Sequence, residues 1–329
     1  MATSLGEAAF TFLVSAAICL AVGRWAIRVL ARMQCLSPGR FEDCPPLSAY
    51  QAAKRDIPTM GGVFVLGIGS LIAMLAGGAS HRDGWLVLGT VTALAALGLL
   101  DDGLKFRGRN AAGLPRLPKL AVALAVGGWL GALMAAEPSR TVLVPWTELR
   151  VALGVAWVPF AMLVVAGCAH AVNLTDGMDG LAPGCVAIVL AGLGVMALVG
   201  APHDRAVVAW CAALAGSCVG FLWFNSFPAS VFLGDVGALG LGGALGAISL
   251  LTRDALWLLV IGGVFVAETL SVMLQVASYR WRGRRRIFRV APVHHHFHLG
   301  GLSEPKVIVR FWIVGVWLAM LGLTAIELR

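Results

Sequence analysis

Long apolar runs alternate with short polar stretches along the whole chain. None of the runs shows the period of two expected of a half-exposed strand. A helix needs about 20 mostly apolar residues to cross a bilayer. Ten segments reach or approach that length: Ala8–Leu30, Met60–Gly78, Trp85–Leu100, Leu120–Ala136, Val151–Ala169, Leu181–Gly200, Ala206–Phe224, Val236–Leu251, Ala255–Ala277 and Val307–Ile326. The pattern predicts an all-α integral membrane protein with about ten transmembrane helices, in one polytopic domain over residues 1–329. Continuous apolarity, rather than alternation, excludes a β-barrel. The first run has no basic stretch before it and reads as a retained helix, not a cleaved signal.

Composition strengthens this reading. The chain is 59% hydrophobic and 13% charged, where a soluble domain carries about a quarter charged residues. Its 41 glycines suit close helix packing in lipid. Seven cysteines (Cys19, Cys35, Cys44, Cys168, Cys185, Cys211 and Cys218) form no CxxC pattern and mostly lie in apolar runs, as small hydrophobes do. The net charge of +8 points to anionic lipid rather than nucleic acid, with an anionic substrate still open.

The basic residues also orient the chain. Ten spans divide the loops into two sets. One set, Ala31–Thr59, Asp101–Lys119, His170–Gly180, Asn225–Asp235 and Ser278–Lys306, holds 19 of the 25 Lys and Arg residues once helix flanks are included. That bias predicts a cytoplasmic position for this set in a bacterial inner membrane, with both termini outside.

The unusual polar stretches fall on the same side. They are "AKRDIPTMGG" at Ala53–Gly62, "LLDDGLK" at Leu99–Lys105, "HAVNLTDGMDGLA" at His170–Ala182, "FNSFPASVFLGDVGALG" at Phe224–Gly240 and "RVAPVHHHFHLGG" at Arg289–Gly301. A transporter would carry polar groups near the bilayer midplane. Here the mid-span regions are bare apart from Glu268 and Gln275. The pattern suits an active-site cleft on the cytoplasmic face, where a soluble and a lipid-borne reactant meet.

Asp101, Asp102, Asp176, Asp179 and Asp235 sit beside apolar helix ends. Clustered carboxylates repel unless neutralised, and hard oxygen donors suit Mg²⁺ or Mn²⁺ shared with phosphate oxygens. The Asp-Gly pairs of "TDGMDG" are also ordinary turn formers. Lys54, Lys105 and Lys119 stand near these motifs and suit phosphate charge. The arginines of "RWRGRRR" suit lipid headgroups. His294, His295 and His296 cannot all face one ion, so contact with phosphate or nucleotide, or acid–base work, fits them better than a soft-metal site. The residues alone thus give a metal-assisted enzyme that handles phosphates and a lipid.

Together these stretches resemble the polyprenyl-phosphate N-acetylhexosamine-1-phosphate transferase superfamily, and within it the phospho-N-acetylmuramoyl-pentapeptide transferase family. The resemblance rests on Pro58–Gly62, Asp101-Asp102 with Lys105, Ala171–Ala182, Phe221–Asn225, Val231–Leu239, Ala291–Phe297 and Glu304–Trp312. It implies transfer of phospho-N-acetylmuramoyl-pentapeptide from UDP to undecaprenyl phosphate, forming lipid I and UMP, the first membrane step of peptidoglycan synthesis. A related UDP-N-acetylglucosamine transferase is the alternative, and a transporter or inactive lipid-binding scaffold the rival from another class.

The resemblance also implies roles. Asp235 chiefly holds Mg²⁺, with Asp101 and Asp102 beside it. Asp101 is the candidate base, and His294 is catalytic. Asp179, Phe232 and Lys54 recognise uridine, with Gln275 and His295 as further nucleotide contacts and His296 among the substrate-binding residues. Asn173, Asp176, Asn225, Lys105 and Lys119 line the cleft. A homodimer is implied. Gly103, Asp56, His170 and His298 depart from the family pattern.

Overall fold

The computed structural model describes residues 5–33, 35, 54, 56–106, 113–135, 141–199, 205–324 and 326. Each apolar segment contains a helix. In chain order these are α1 (Leu5–Arg32), α2 (Gly62–Leu75), α3 (Arg82–Phe106), α4 (Arg116–Met134), α5 (Trp157–Thr175), α6 (Leu181–Val199), α7 (Arg205–Asn225), α8 (Gly234–Leu251), α9 (Leu258–Ile261), α10 (Gly263–Trp281), α11 (Val293–His298) and α12 (Glu304–Leu323). Among the described residues, eight helices are long and apolar enough to cross a membrane. The short α2 and the more polar α10 fall outside that set. The chain is an all-helical integral membrane protein.

Helix α8 is the centre of the bundle. Every residue from Gly234 to Leu250 is buried. Helices α3, α5 and α2 pack directly on it, and small residues set how close they come. A Cβ at Gly62 of α2 would strike the backbone of Gly237 in α8. Helix α7 packs on α1, α2 and α6, and α12 lies against α6. The outer helices turn large apolar side chains outward, among them Phe10, Trp25, Leu71, Leu163 and Trp317. In water these would be a liability; against acyl chains they are not.

Three boundaries differ from the hydropathy reading. Helix α3 continues through Asp101 and Asp102 to Phe106 instead of stopping at Leu100. The run Ala255–Ala277 is broken at Gly262, between α9 and α10. The run from Val151 does not start as a helix. Arg150–Ala152 instead pairs antiparallel with Thr141–Leu143 in a small hairpin, β1 and β2, and α5 begins at Trp157. The hairpin rests on the far end of α8. Leu143 N donates to Arg253 O at 3.2 Å, and the rings of Trp146 and Trp257 lie 5.4 Å apart. The acidic residues gather at the opposite end.

Candidate active site

Three helix ends bring the acidic centre together. Asp101 and Asp102 project from the last turns of α3, and Asp235 from the first turn of α8. All three are at most 3% exposed. One carboxylate oxygen from each lies within 4.8 Å of the others. Such a cluster would repel itself apart without cations, and two lysines enter it. Lys105, one helical turn beyond Asp101, contacts all three carboxylates, at 3.3 Å from Asp102 and 3.0 Å from Asp235. Lys119, at the start of α4, reaches Asp235 at 2.8 Å and Asp101 at 3.0 Å.

Neutral donors fix the remaining oxygens. Asn173 Nδ2 donates to Asp235 Oδ1 at 3.0 Å. Leu114 N donates to Asp101 Oδ1 at 2.7 Å, and Val236 N, at the positive end of α8, donates to Asp102 Oδ2 at 3.2 Å. Gly234 allows that approach. Its φ is +76°, and a Cβ there would sit 2.8 Å from Asp102 Oδ2.

The donor set fits a hard divalent cation: three converging carboxylates, no thiol or imidazole among them, and the spacing above. Charge supports the same conclusion. Three carboxylates against two ammonium groups leave one negative charge, which attracts a cation.

A second cluster forms around Lys54. Its Nζ donates to Asp179 Oδ1 at 2.6 Å and to Glu304 Oε1 at 2.8 Å. Glu304 Oε1 also accepts Asp179 N at 2.9 Å, and Asp179 Oδ2 accepts Ala229 N at 3.0 Å. Burial raises the Asp179 carboxyl above its ordinary value, against the opposing pull of Lys54. The Phe227 ring lies 5.7 Å from Lys54 Nζ, a cation–π distance. Asn225 braces the wall. Its Oδ1 accepts Gly180 N at 3.0 Å and its Nδ2 donates to Val231 O at 2.8 Å. Half-buried Phe232 is held by its backbone, its N donating to Pro58 O at 2.8 Å and its O accepting Gly61 N at 2.8 Å. Those bonds join the "PTMGG" stretch to the loop that leads into Asp235.

The histidines lie on α11. His294 and His295 are buried, with ring centroids 4.1 Å apart. His294 Nδ1 is 3.0 Å from Glu268 Oε2. A Cβ at Gly177 would strike His294 Nε2 and come within 3.3 Å of His295 Nε2. The pair therefore abuts the segment between Asp176, which ends α5, and Asp179. Burial, with help from His294, pushes the His295 pKa down to about 2.

A histidine neutral in the fold but titrating near 6.5 in the unfolded chain weakens stability below about pH 6.5, by roughly 1.4 kcal/mol per pH unit. His295→Asn should therefore flatten the fall in melting temperature between pH 7 and pH 5 in detergent. Parallel curves for the two proteins would refute this.

Of the residues expected from sequence, Asp101, Asp102, Asp235, Lys105, Lys119 and Asn173 share one centre. Lys54 and Asp179 share the second, and His294 and His295 face the link between them. Gln275 and His296 are engaged in the loop before α11 instead. Gln275 Oε1 accepts Ile287 N and Phe288 N, each at 3.0 Å, and His296 Nδ1 accepts Arg289 N at 3.1 Å. Sequence reasoning missed Glu304 and gave Glu268 no role. The signal for Glu268 was a lone carboxylate in the mostly apolar first half of α10. For Glu304 it was the "EPK" at a helix start.

The chain was compared with known proteins. Residues 84–253 match the family described as Glycosyl transferase family 4. A phospho-N-acetylmuramoyl-pentapeptide-transferase of Pelobacter propionicus is 39% identical, over 97% of this chain and 92% of its own length. Relatives of the same name from Citrifermentans bemidjiense and Solidesulfovibrio magneticus are 40% and 41% identical, covering 94% and 85% of this chain and 89% and 83% of their own lengths.

Proposed function

The chain belongs to the phospho-N-acetylmuramoyl-pentapeptide-transferase family, and on that footing we propose how its residues carry out lipid I formation. The donor is UDP-N-acetylmuramoyl-pentapeptide and the acceptor undecaprenyl phosphate. A lipid phosphate oxygen attacks the donor's β-phosphorus. The bond from that phosphorus to the bridging oxygen breaks, and UMP leaves with the oxygen and its electron pair.

The observation that carries this reading is the convergence of Asp101, Asp102 and Asp235 with Lys105 and Lys119 at one buried point. Phosphoryl transfer needs positioning and charge neutralisation more than covalent chemistry from the protein. Lys105 and Lys119 offset charge on the diphosphate. Asp101 orients the lipid phosphate, which is already largely ionised at neutral pH. Asp101, Asp102 and Asp235 would hold Mg²⁺ or Mn²⁺, which when bound screens the diphosphate oxygens.

Asp179, Phe232 and Lys54 form the uridine side, and Asn173, Asp176, Asn225, His294 and His295 line the path between. Gln275 and His296 brace the loop before α11, beside the nucleotide and substrate contacts expected of them. With α2 and α10 counted as spans beside the eight longer apolar helices, the chain makes ten membrane passes, and the excess of Lys and Arg in the loops on the site's side supports a cytoplasmic cleft with both termini outside. The apolar outer face supports a place in the bacterial inner membrane, where the motif resemblance implies a homodimer.

Purified protein with undecaprenyl phosphate and Mg²⁺ should release UMP from UDP-N-acetylmuramoyl-pentapeptide and not from UDP-N-acetylglucosamine. Turnover of the N-acetylglucosamine donor alone would reassign the enzyme. No turnover of either would favour a scaffold.

A further inference from the structure

Glu268 is the one carboxylate in α10, and it is fully buried, as is His294. The two meet at 3.0 Å through Glu268 Oε2 and His294 Nδ1. Neither Glu268 Oε1 nor His294 Nε2 has a hydrogen-bond partner among the described residues. An isolated carboxylate inside a bundle is expensive, so a buried pairing with one imidazole asks for a purpose.

The geometry supplies one. A carboxylate at Glu268 accepts a hydrogen bond from Nδ1–H, which fixes both the ring's orientation and its tautomer. Nε2 is thereby turned onto Gly177, between Asp176 and Asp179, against a backbone with no room for even a methyl group. The His295 ring, tilted against that of His294 with centroids 4.1 Å apart, limits its rotation.

We propose that Glu268 is a positioning residue for the transfer reaction, acting only through His294, whose Nε2 it holds at the Asp176–Asp179 segment of the cleft. This deepens the function proposed above and rests on it. Glu268 itself touches no reactant.

A double-mutant cycle tests the idea. Glu268→Gln keeps the shape but loses the charge, and Glu268→Ala loses both. Each should lower kcat by about 10- to 100-fold while shifting the KM for the UDP donor less than about threefold. His294→Asn should cost at least as much. Glu268→Gln combined with His294→Asn should fall within threefold of His294→Asn alone, because the carboxylate has nothing left to orient.

Losses that multiply in the double variant would overturn the proposal, as would wild-type kcat in Glu268→Gln. A merely structural role would lower melting temperature and multiply with His294→Asn. Should Glu268→Ala fail to fold, Glu268→Gln decides the matter. Wild-type UMP release reports separately on the function itself, so failure of one reading is not mistaken for failure of the other.

Discussion

Asp235→Asn lowers turnover by at least about 10³-fold while leaving the fold intact, if the acidic centre neutralises and orients the reacting phosphates. The substitution is nearly isosteric, and the residue occupies the first turn of a fully buried helix, so volume changes little. Charge and hydrogen bonding change a great deal. Asp235 accepts from Asn173 through one oxygen and from Lys105 and Lys119 through the other. An amide has only one oxygen, so one of these donors must face an NH₂ group. The two lysines then face two carboxylates instead of three, and the negative charge that would attract a divalent cation disappears. Release of UMP measured in detergent, beside a thermal melt of the same sample, checks this. A melt like wild type with a rate within tenfold of wild type would remove Asp235 from the chemistry.

The same residue shows what a single chain can and cannot disclose. Hydropathy located every long helix, though not the short α11, because burial in lipid and burial in protein both demand apolar side chains. It ended α3 at Leu100, because a window that counts charges sees Asp101 and Asp102 as water-facing. Lys105, one turn on, and Lys119, beyond the end of the helix, neutralise them and allow the helix to continue. The acidic centre was legible since its carboxylates and lysines sit in short stretches dense with polar residues. The Lys54–Glu304 pairing was not. It joins residues 250 positions apart, and the acidic residue of "EPK" at a helix start is accounted for by the helix's own positive end, which gives no hint of a distant partner. The break at Gly262 was equally silent, since the glycine lies in unbroken apolar sequence and only the packing of its neighbours selects a bend there.

Gly98→Ala, a single added methyl, should cut activity by about 100-fold and destabilise the bundle. Gly98 lies on α3 about one turn before Asp101 and Asp102. A Cβ there would strike Asp235 O and fall within 2.5 Å of Asp235 C and Val236 Cα. Two effects oppose each other. Alanine favours a helix over glycine by about 1 kcal/mol, whereas overpacking costs typically 1–3 kcal/mol. The clash wins here, because the atoms struck are backbone and cannot rotate aside. Relief requires α3 and α8 to separate, and that motion carries Asp101 and Asp102 away from Asp235. A misplacement of about 1 Å in such a centre is worth roughly 10² in rate. Gly103→Ala is the matched control on the same helix, since nothing lies within 4 Å of its added Cβ; it gains helix propensity without a clash and should melt no lower than wild type. Melting curves and UMP release for the two variants decide the point. Wild-type activity in Gly98→Ala would mean that the spacing of α3 and α8 does not set the geometry of the carboxylates.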